Sequence, residues 1–168
     1  MPRQFDHSAA ALTRRAALLA ALCSPLAAQS ATATTTFNAT ATVIATCAVS
    51  ATNVAFGNYS TAQLDSTGSV TATCTNGTTY TVALDVGTGS GATVGARKMT
   101  GPASQTLIYS LYSDASRSTV WGPTVGTNTV AGTGTGSAQA LTVYGRIPAL
   151  EYPAPGSYSD TITVTVAY

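Results

Sequence analysis

Two cysteines, Cys47 and Cys74, a single lysine after the first thirty residues, and a few scattered carboxylates are the side chains of this sequence whose types could do chemistry. Nucleophilic catalysis needs a base held beside the nucleophile. The one histidine, His7, falls in an N-terminal stretch that reads as a removable export signal, which leaves Lys98 as the candidate base, alone in a Gly-rich segment. No G-x-S-x-G elbow is present. Asp114, Glu151 and Asp160 could form a glycosidase pair, but nothing in the sequence sets two of them about 5 to 9 Å apart. Asp160 reads as a turn or capping aspartate before the last strand. Arg146 reads as a strand-end surface charge, with a buried ion pair to an aspartate as the alternative. Gly87 to Ala92, GTGSGA, matches a dinucleotide fingerprint in form, with Asp114 downstream. That motif works by opening a helix whose N-terminus holds a pyrophosphate, and the following TVGARKMTGPA offers no helix to open. A zinc site would want about four Cys or His ligands, and only two candidates remain. The reading is therefore non-enzymatic, with no catalytic residue, metal or cofactor.

The first thirty residues carry Arg14 and Arg15, then the apolar AALLAALCSPLA, then small residues around Ala27 to Ala33. This three-part plan is that of a secretory signal, residues 1–30. Thr13-Arg14-Arg15 leaves a twin-arginine variant open. Cys23, preceded by bulky Leu22, is expected to be discarded with the signal. After its removal four basic residues face five acidic ones, a net charge near −1, which excludes the clustered basic face that nucleic-acid binding requires. Only 8% of residues are charged while 45% are hydrophobic, a balance that argues against disorder. In the oxidising compartment that export implies, Cys47 and Cys74 are most simply one disulfide, worth about 3 to 4 kcal/mol in the chain-entropy account.

The elements that must position these residues are strands. Val70, Ala72 and Cys74 alternate in SVTATCTNG, and Tyr80, Val82, Leu84 and Val86 alternate in YTVALDVG. The Asn76-Gly77 pair between them predicts a β-hairpin. LIYSLYSD puts Leu107, Tyr109 and Leu111 on one face, and strand character returns in ALTVYGRIP and GSYSDTITVTVAY. No segment after the signal keeps a helical period. The domain, residues 46–168, is expected to be an all-β, immunoglobulin-like two-sheet sandwich of six or seven strands, with a barrel as the alternative. Tyr109, Tyr112, Trp121, Tyr144, Tyr152 and Tyr158 could stack on a sugar, although aromatics on half-buried strands usually pack within the sheets. Ahead of the domain, residues 31–45 alternate apolar Phe37, Ala39, Ala41 and Val43 with Thr and Asn, the pattern of a strand with one buried face. At the other end the sequence stops after Ile162, Val164 and Val166, so one flank of that strand is expected to lack a partner, a liability proteins normally cover.

Cys47 followed by FGNY (56–59), VTATCTNGTTYTVALDVG (70–87), ARKM (96–99), LIYSLYSD (107–114), VWG (120–122), LTVYGRIP (141–148) and PAPGSYSDTITVTVAY (153–168) together resemble the spore coat protein U domain family, which includes pilin subunits of archaic, Csu-type chaperone-usher pili. The resemblance runs from about Phe37 to Tyr168. It implies an immunoglobulin-like fold lacking its last strand, held by a periplasmic chaperone and assembled at an outer-membrane usher into a surface fibre serving adhesion or biofilm formation. Strand addition at an exposed edge links the neighbouring pilin subunits, and the head-to-tail contact does not close. Carried over by position, Phe37, Ala39, Ala41 and Val43 are the donor face, and Ile162, Val164 and Val166 border the acceptor groove. Two alternatives stand beside this reading: a secreted, self-complemented coat or matrix protein, and a carbohydrate-binding adhesive module using the tyrosines.

Overall fold

In the computed structural model of the protein, residues 29–168 are described. Cys23 and all but the last two residues of the expected signal segment lie outside them. The chain divides at Thr40–Ala41 into two units. The described part of the first, residues 29–40, is exposed and holds no strand or helix.

The second unit is built from eight strands among the described residues: β1 (Cys47–Thr52), β2 (Leu64–Cys74), β3 (Thr79–Leu84), β4 (Arg97–Thr100), β5 (Thr106–Tyr112), β6 (Val130–Thr133), β7 (Ala138–Ile147) and β8 (Val164–Ala167). A three-residue 3-10 turn at Pro102–Ser104 is the one helical element among them. The strands form a five-stranded sheet, β1-β2-β7-β5-β4, and a three-stranded sheet, β6-β3-β8, with every pairing antiparallel. Alternation decides which residues meet between the sheets. Val70, Ala72 and Cys74 of β2, Tyr80, Val82 and Leu84 of β3, Leu107, Tyr109 and Leu111 of β5, and Val143 and Ile147 of β7 are buried in one core with Trp121. Trp121 satisfies its indole there by donating to the Val82 carbonyl at 2.9 Å. The all-β sandwich is as expected, with one or two more strands than the sequence pattern resolves.

The hairpin at Asn76-Gly77 is not formed. The turn exists, with Gly77 at a φ of 79° and Thr78 donating to Thr75, yet β2 and β3 belong to different sheets. The reason is saturation: β2 is already paired on both flanks, from Thr52–Ser69 to Cys47–Cys74 with β1 and along ten residues with β7. The chain therefore crosses to the other sheet, and Gly134 takes the turn's remaining bonds, accepting from Gly77 and donating to Thr78.

Cys47 and Cys74 are opposite one another in the β1–β2 register and are disulfide-bonded. Past β1, Val54 and Phe56 leave the sheet and lie over β7, where only glycine fits. A Cβ on Gly145 would stand 2.7 Å from Phe56 Cζ and 2.7 Å from Val54 Cγ1. Phe56 meets Tyr109 edge-on at 6.1 Å between centroids. This crossing segment and the approach to β8 form the sides of a cleft.

Candidate functional site

β8 is hydrogen-bonded to β3 along one flank, and its other flank has no hydrogen-bonded partner strand among the described residues. β1 is likewise paired only with β2. A cleft of about 1050 Å³ opens beside β8, walled by residues 51–59 on one side and by 151–164 on the other. Its floor is the core itself, with Val70, Leu84, Tyr109, Leu111, Val143 and Ile147 all reached from it. Ile162 and Val164 stand in its wall. Val166 packs half-buried on the core farther along β8 but is not part of the cleft lining. Val49 opposes buried Ala72 in register and is nonetheless 43% exposed, an inward-facing apolar side chain outside the packed core.

The wall approaching β8 is fastened by polar groups. Asp160 Oδ1 accepts from the Thr88 amide and hydroxyl, both at 2.8 Å, and from the Thr161 amide. Its Oδ2 accepts from the Tyr109 hydroxyl at 2.7 Å. Burial, and then this bond to a carboxylate, push the Tyr109 phenol far above its ordinary range, so it remains a donor. One residue pair further, the Asp85 amide donates to Thr163 O at 3.1 Å, and Asp85 Oδ1 accepts from Thr163 and Gly87 amides at 3.0 Å each. Burial alone would raise the Asp85 carboxyl, but these bonds to Thr163 and Gly87, with the Arg97 charge, outweigh it and hold it below the usual carboxylate range.

Arg97 anchors this arrangement from beneath. It is fully buried, at 0% exposure. Its Nε and Nη2 both donate to Asp85 O, at 2.9 and 2.7 Å, Nη1 donates to Val94 O at 2.9 Å, and Nη2 also reaches Trp121 O at 2.7 Å. Burial lowers its affinity for the proton, yet a guanidinium keeps its charge in proteins. The sequence reading left Arg97 in a Gly-rich loop. The signal that could have found it is its place in ARKM, where Arg97 and Met99 keep the phase of Leu107, Tyr109 and Leu111 across β4 and β5.

The donor residues named from the sequence form no strand. Phe37 is 90% and Val43 83% exposed, and Ala39 and Ala41 are exposed as well. The departure from the expected strand has a physical cause: alternating Thr and Ala supply the pattern, but an isolated extended segment has no ladder to join. Just ahead of β1 the Thr46 amide donates to Thr75 Oγ1 at 3.1 Å and its carbonyl accepts from the Thr75 amide at 2.9 Å.

The remaining chemical candidates do not converge. Tyr109, Tyr152 and Tyr158 line the cleft, the Tyr109 and Tyr158 hydroxyls donating to Asp160 and Ala154, while Trp121 is a core residue and Tyr112 and Tyr144 lie outside the cleft lining, so the six aromatics make no common platform. Tyr112 and Tyr144 are cross-strand neighbours, with Arg117 stacked 5.6 Å from the Tyr144 centroid. Arg146 meets Asp65 through two bonds, at 2.7 and 2.9 Å, at a partly exposed site. That bond, opposed by burial and helped by the Arg117 and Arg146 charges, lowers the Asp65 carboxyl. Asp114 is closed on its own loop by the Ser116 and Ser118 hydroxyls and the Ser118 and Thr119 amides. Glu151 and Asp160 both border the cleft, but Asp160 is occupied as a latch. The Gly87–Ala92 loop opens no helix, and Gly89 instead lies against Lys98. Among the described residues no three of His, Cys, Asp and Glu gather into a metal site.

Comparison with known proteins places these features in context. The profile of the Spore Coat Protein U domain matches residues 33–165. Protein U of Myxococcus xanthus is 34% identical over 176 residues, covering 95% of this chain and 96% of that protein. Among solved structures, a chain of the CsuC-CsuE chaperone-tip adhesion subunit pre-assembly complex, from archaic chaperone-usher Csu pili of Acinetobacter baumannii, superposes with a TM-score of 0.57 at 26% identity. The match covers 76% of this chain and 40% of that one.

Proposed function

Because this chain belongs to the Spore Coat Protein U domain family, we propose that it is a structural subunit of a surface fibre assembled by the chaperone-usher route, residues 31–45 of one copy completing the sheet of the next. The observation that carries this is the open flank of β8 beside a cleft that reaches the core. An unpaired apolar edge is something proteins ordinarily cover. The same chain carries an alternating segment whose Phe37 and Val43 are exposed. Inserted beside β8, that segment gains main-chain bonds, and its apolar face turns toward the cleft floor.

Within this reading residues 1–30 are the export signal, 31–45 the donor extension and 46–168 the acceptor domain. Phe37, Ala39, Ala41 and Val43 face the cleft; Ile162, Val164 and Val166 lie along the receiving edge. A periplasmic chaperone covers the cleft before assembly, an outer-membrane usher exchanges it for the next subunit, and the product is a fibre at the cell surface with a role in adhesion or biofilm formation. The protein itself carries out no catalysis. The gain per joint is modest: Phe37 and Val43 contribute about 1.5 to 3 kcal/mol each when buried, and the alanines much less.

The test replaces Phe37 and Val43 with Asp. The domain is expected to fold unchanged and still enter chaperone complexes, while polymers disappear from native gels and electron micrographs. Wild-type levels of polymer from the double variant would overturn the proposal. The family's description as a spore coat domain supports a second reading, a secreted coat protein, in which residues 31–45 would complete the chain's own sheet. A solution monomer in which residues 37–43 are protected from hydrogen exchange would select it.

A further inference from the structure

The outward positions of the strands are chemically plain except in one place. Strand residues that alternate with the core are Ala, Ser or Thr, apart from Asp65, Lys98, Ile108, Tyr112, Tyr144 and Arg146. All six belong to the five-stranded sheet. Tyr144 and Arg146 alternate with buried Val143 and Ile147, so they project from the side of the sheet away from the core, and none of the six lines the cleft.

Register brings four of them together. Asp65, Arg146 and Ser110 form one row across β2, β7 and β5, and Thr67, Tyr144 and Tyr112 form the next. Neighbouring strands are about 4.8 Å apart, so the two tyrosines stand side by side next to Arg146. Arg117 joins them from the loop between β5 and β6. Its guanidinium lies 5.6 Å over the Tyr144 ring, its Nε donates to Gly145 O at 3.2 Å, and its Nη1 comes within 3.4 Å of Asp65 Oδ2. Arg146 takes both Asp65 oxygens through Nε and Nη2. One carboxylate therefore serves two guanidiniums, and Nη2 of Arg117 and Nη1 of Arg146 have no acceptor among the described residues.

Charge is distributed unevenly as well. Lys98 faces the same side from β4 and Arg97 is buried, so every basic side chain that reaches the surface of the described residues is on this face. Glu151 and Asp160 border the cleft, and Asp85 is bonded to Thr163 beside it. Asp114 is closed on its own loop. Three cations thus stand against Asp65 and Asp114.

Tyrosine and arginine are the side chains that dominate recognition surfaces. Small ligands are held in concave sites, which a sheet face is not, and three cations fall short of the clustered basic face of a nucleic-acid binder. A polymer of sugar rings bearing carboxylates matches what is present. The apolar face of a ring can stack on Tyr112, and its carboxylate can take the unengaged guanidinium nitrogens.

We infer that Tyr112, Tyr144, Arg117 and Arg146 form a binding site for an acidic polysaccharide on the outer face of the five-stranded sheet, where Asp65 is the internal anion with which the ligand's carboxylate competes. The site does not depend on strand insertion. In a fibre it would be repeated in every subunit and gain by avidity.

The experiment runs the full chain through native gels containing polygalacturonate, with neutral dextran and dextran sulfate as the comparison polymers. Retardation by polygalacturonate and not by dextran is expected. Arg117→Gln with Arg146→Gln should weaken it at least about tenfold, and Tyr112→Ser alone roughly fivefold. Asp65→Asn removes the competing carboxylate and should strengthen retardation, a gain that misfolding does not produce. Unchanged retardation of the arginine double variant, weaker retardation of Asp65→Asn, or no retardation of the parent by polygalacturonate overturns the site. Retardation by dextran sulfate alone, indifferent to Tyr112→Ser, marks plain ion exchange and overturns it too.

Discussion

Replacing Arg97 with Met should unfasten the wall of the cleft from below. Methionine keeps most of the apolar stem and removes the fork, so three carbonyls, those of Asp85, Val94 and Trp121, lose four hydrogen bonds of 2.7 to 2.9 Å from three nitrogens. A buried carbonyl left unpaired costs about 1 to 3 kcal/mol. Against this, the variant no longer has to bury a guanidinium, which offsets part of the loss. The net is a destabilisation of about 3 to 5 kcal/mol. For a domain of this size that moves the urea midpoint down by roughly 2 M. The effect should reach the cleft, because Asp85 carries the bonds to Thr163 at the approach to β8. Urea unfolding followed by Trp121 fluorescence measures the first part, and hydrogen exchange at Thr163 the second. Arg97→Lys is the control: one ammonium cannot satisfy three carbonyls in different directions, so it should recover less than half the loss. A shift below about 0.5 M, or full rescue by lysine, would refute the reasoning.

Removing the disulfide with Cys47→Ala and Cys74→Ala should lower stability by about 3 to 4 kcal/mol, read as a fall in midpoint against the oxidised parent; equal midpoints would count against it. Ala41→Val adds two methyl-sized groups to the donor face, and at about 0.8 kcal/mol per buried carbon it should slow subunit release from polymers by roughly tenfold without changing the monomer. The pH dependence follows from Asp65 and Asp85, both lowered in the folded protein. A depressed carboxylate contributes stability that is complete above the ordinary carboxylate pKa of about 4 and is lost as pH falls through the lower folded value. Stability should accordingly be flat near neutrality and decline below about pH 4, and Asp85→Asn should make that decline shallower in acid titrations followed by circular dichroism.

Much of the core could be read directly from alternation. Val70, Ala72 and Cys74, then Tyr80, Val82 and Leu84, then Leu107, Tyr109 and Leu111 are buried as their spacing requires, because a strand's side-chain period is fixed by its backbone. The pairing of Cys47 with Cys74 needed only their number and an oxidising destination. The apolar stripe of Ile162, Val164 and Val166 was legible from the same alternation, while its place at an acceptor groove came only with the family resemblance.

Partnership between strands was beyond the sequence's reach. Asn76-Gly77 specifies a local reversal, but whether the two arms pair or part depends on whether β2 still has a free flank, and β1 and β7 had taken both. Arg97 was illegible for a related reason: charge predicts exposure until three carbonyls from separate loops converge on one point, and convergence is a property of the folded chain alone. For the segment from Ala31 to Thr46 the sequence determined a face, with Phe37 and Val43 on one side and threonines on the other, while the tertiary structure decided that its described residues are exposed and that β8 keeps an open flank. The alternating pattern fixes what a strand can bury, and only the assembled sheets show where an edge is left to receive it.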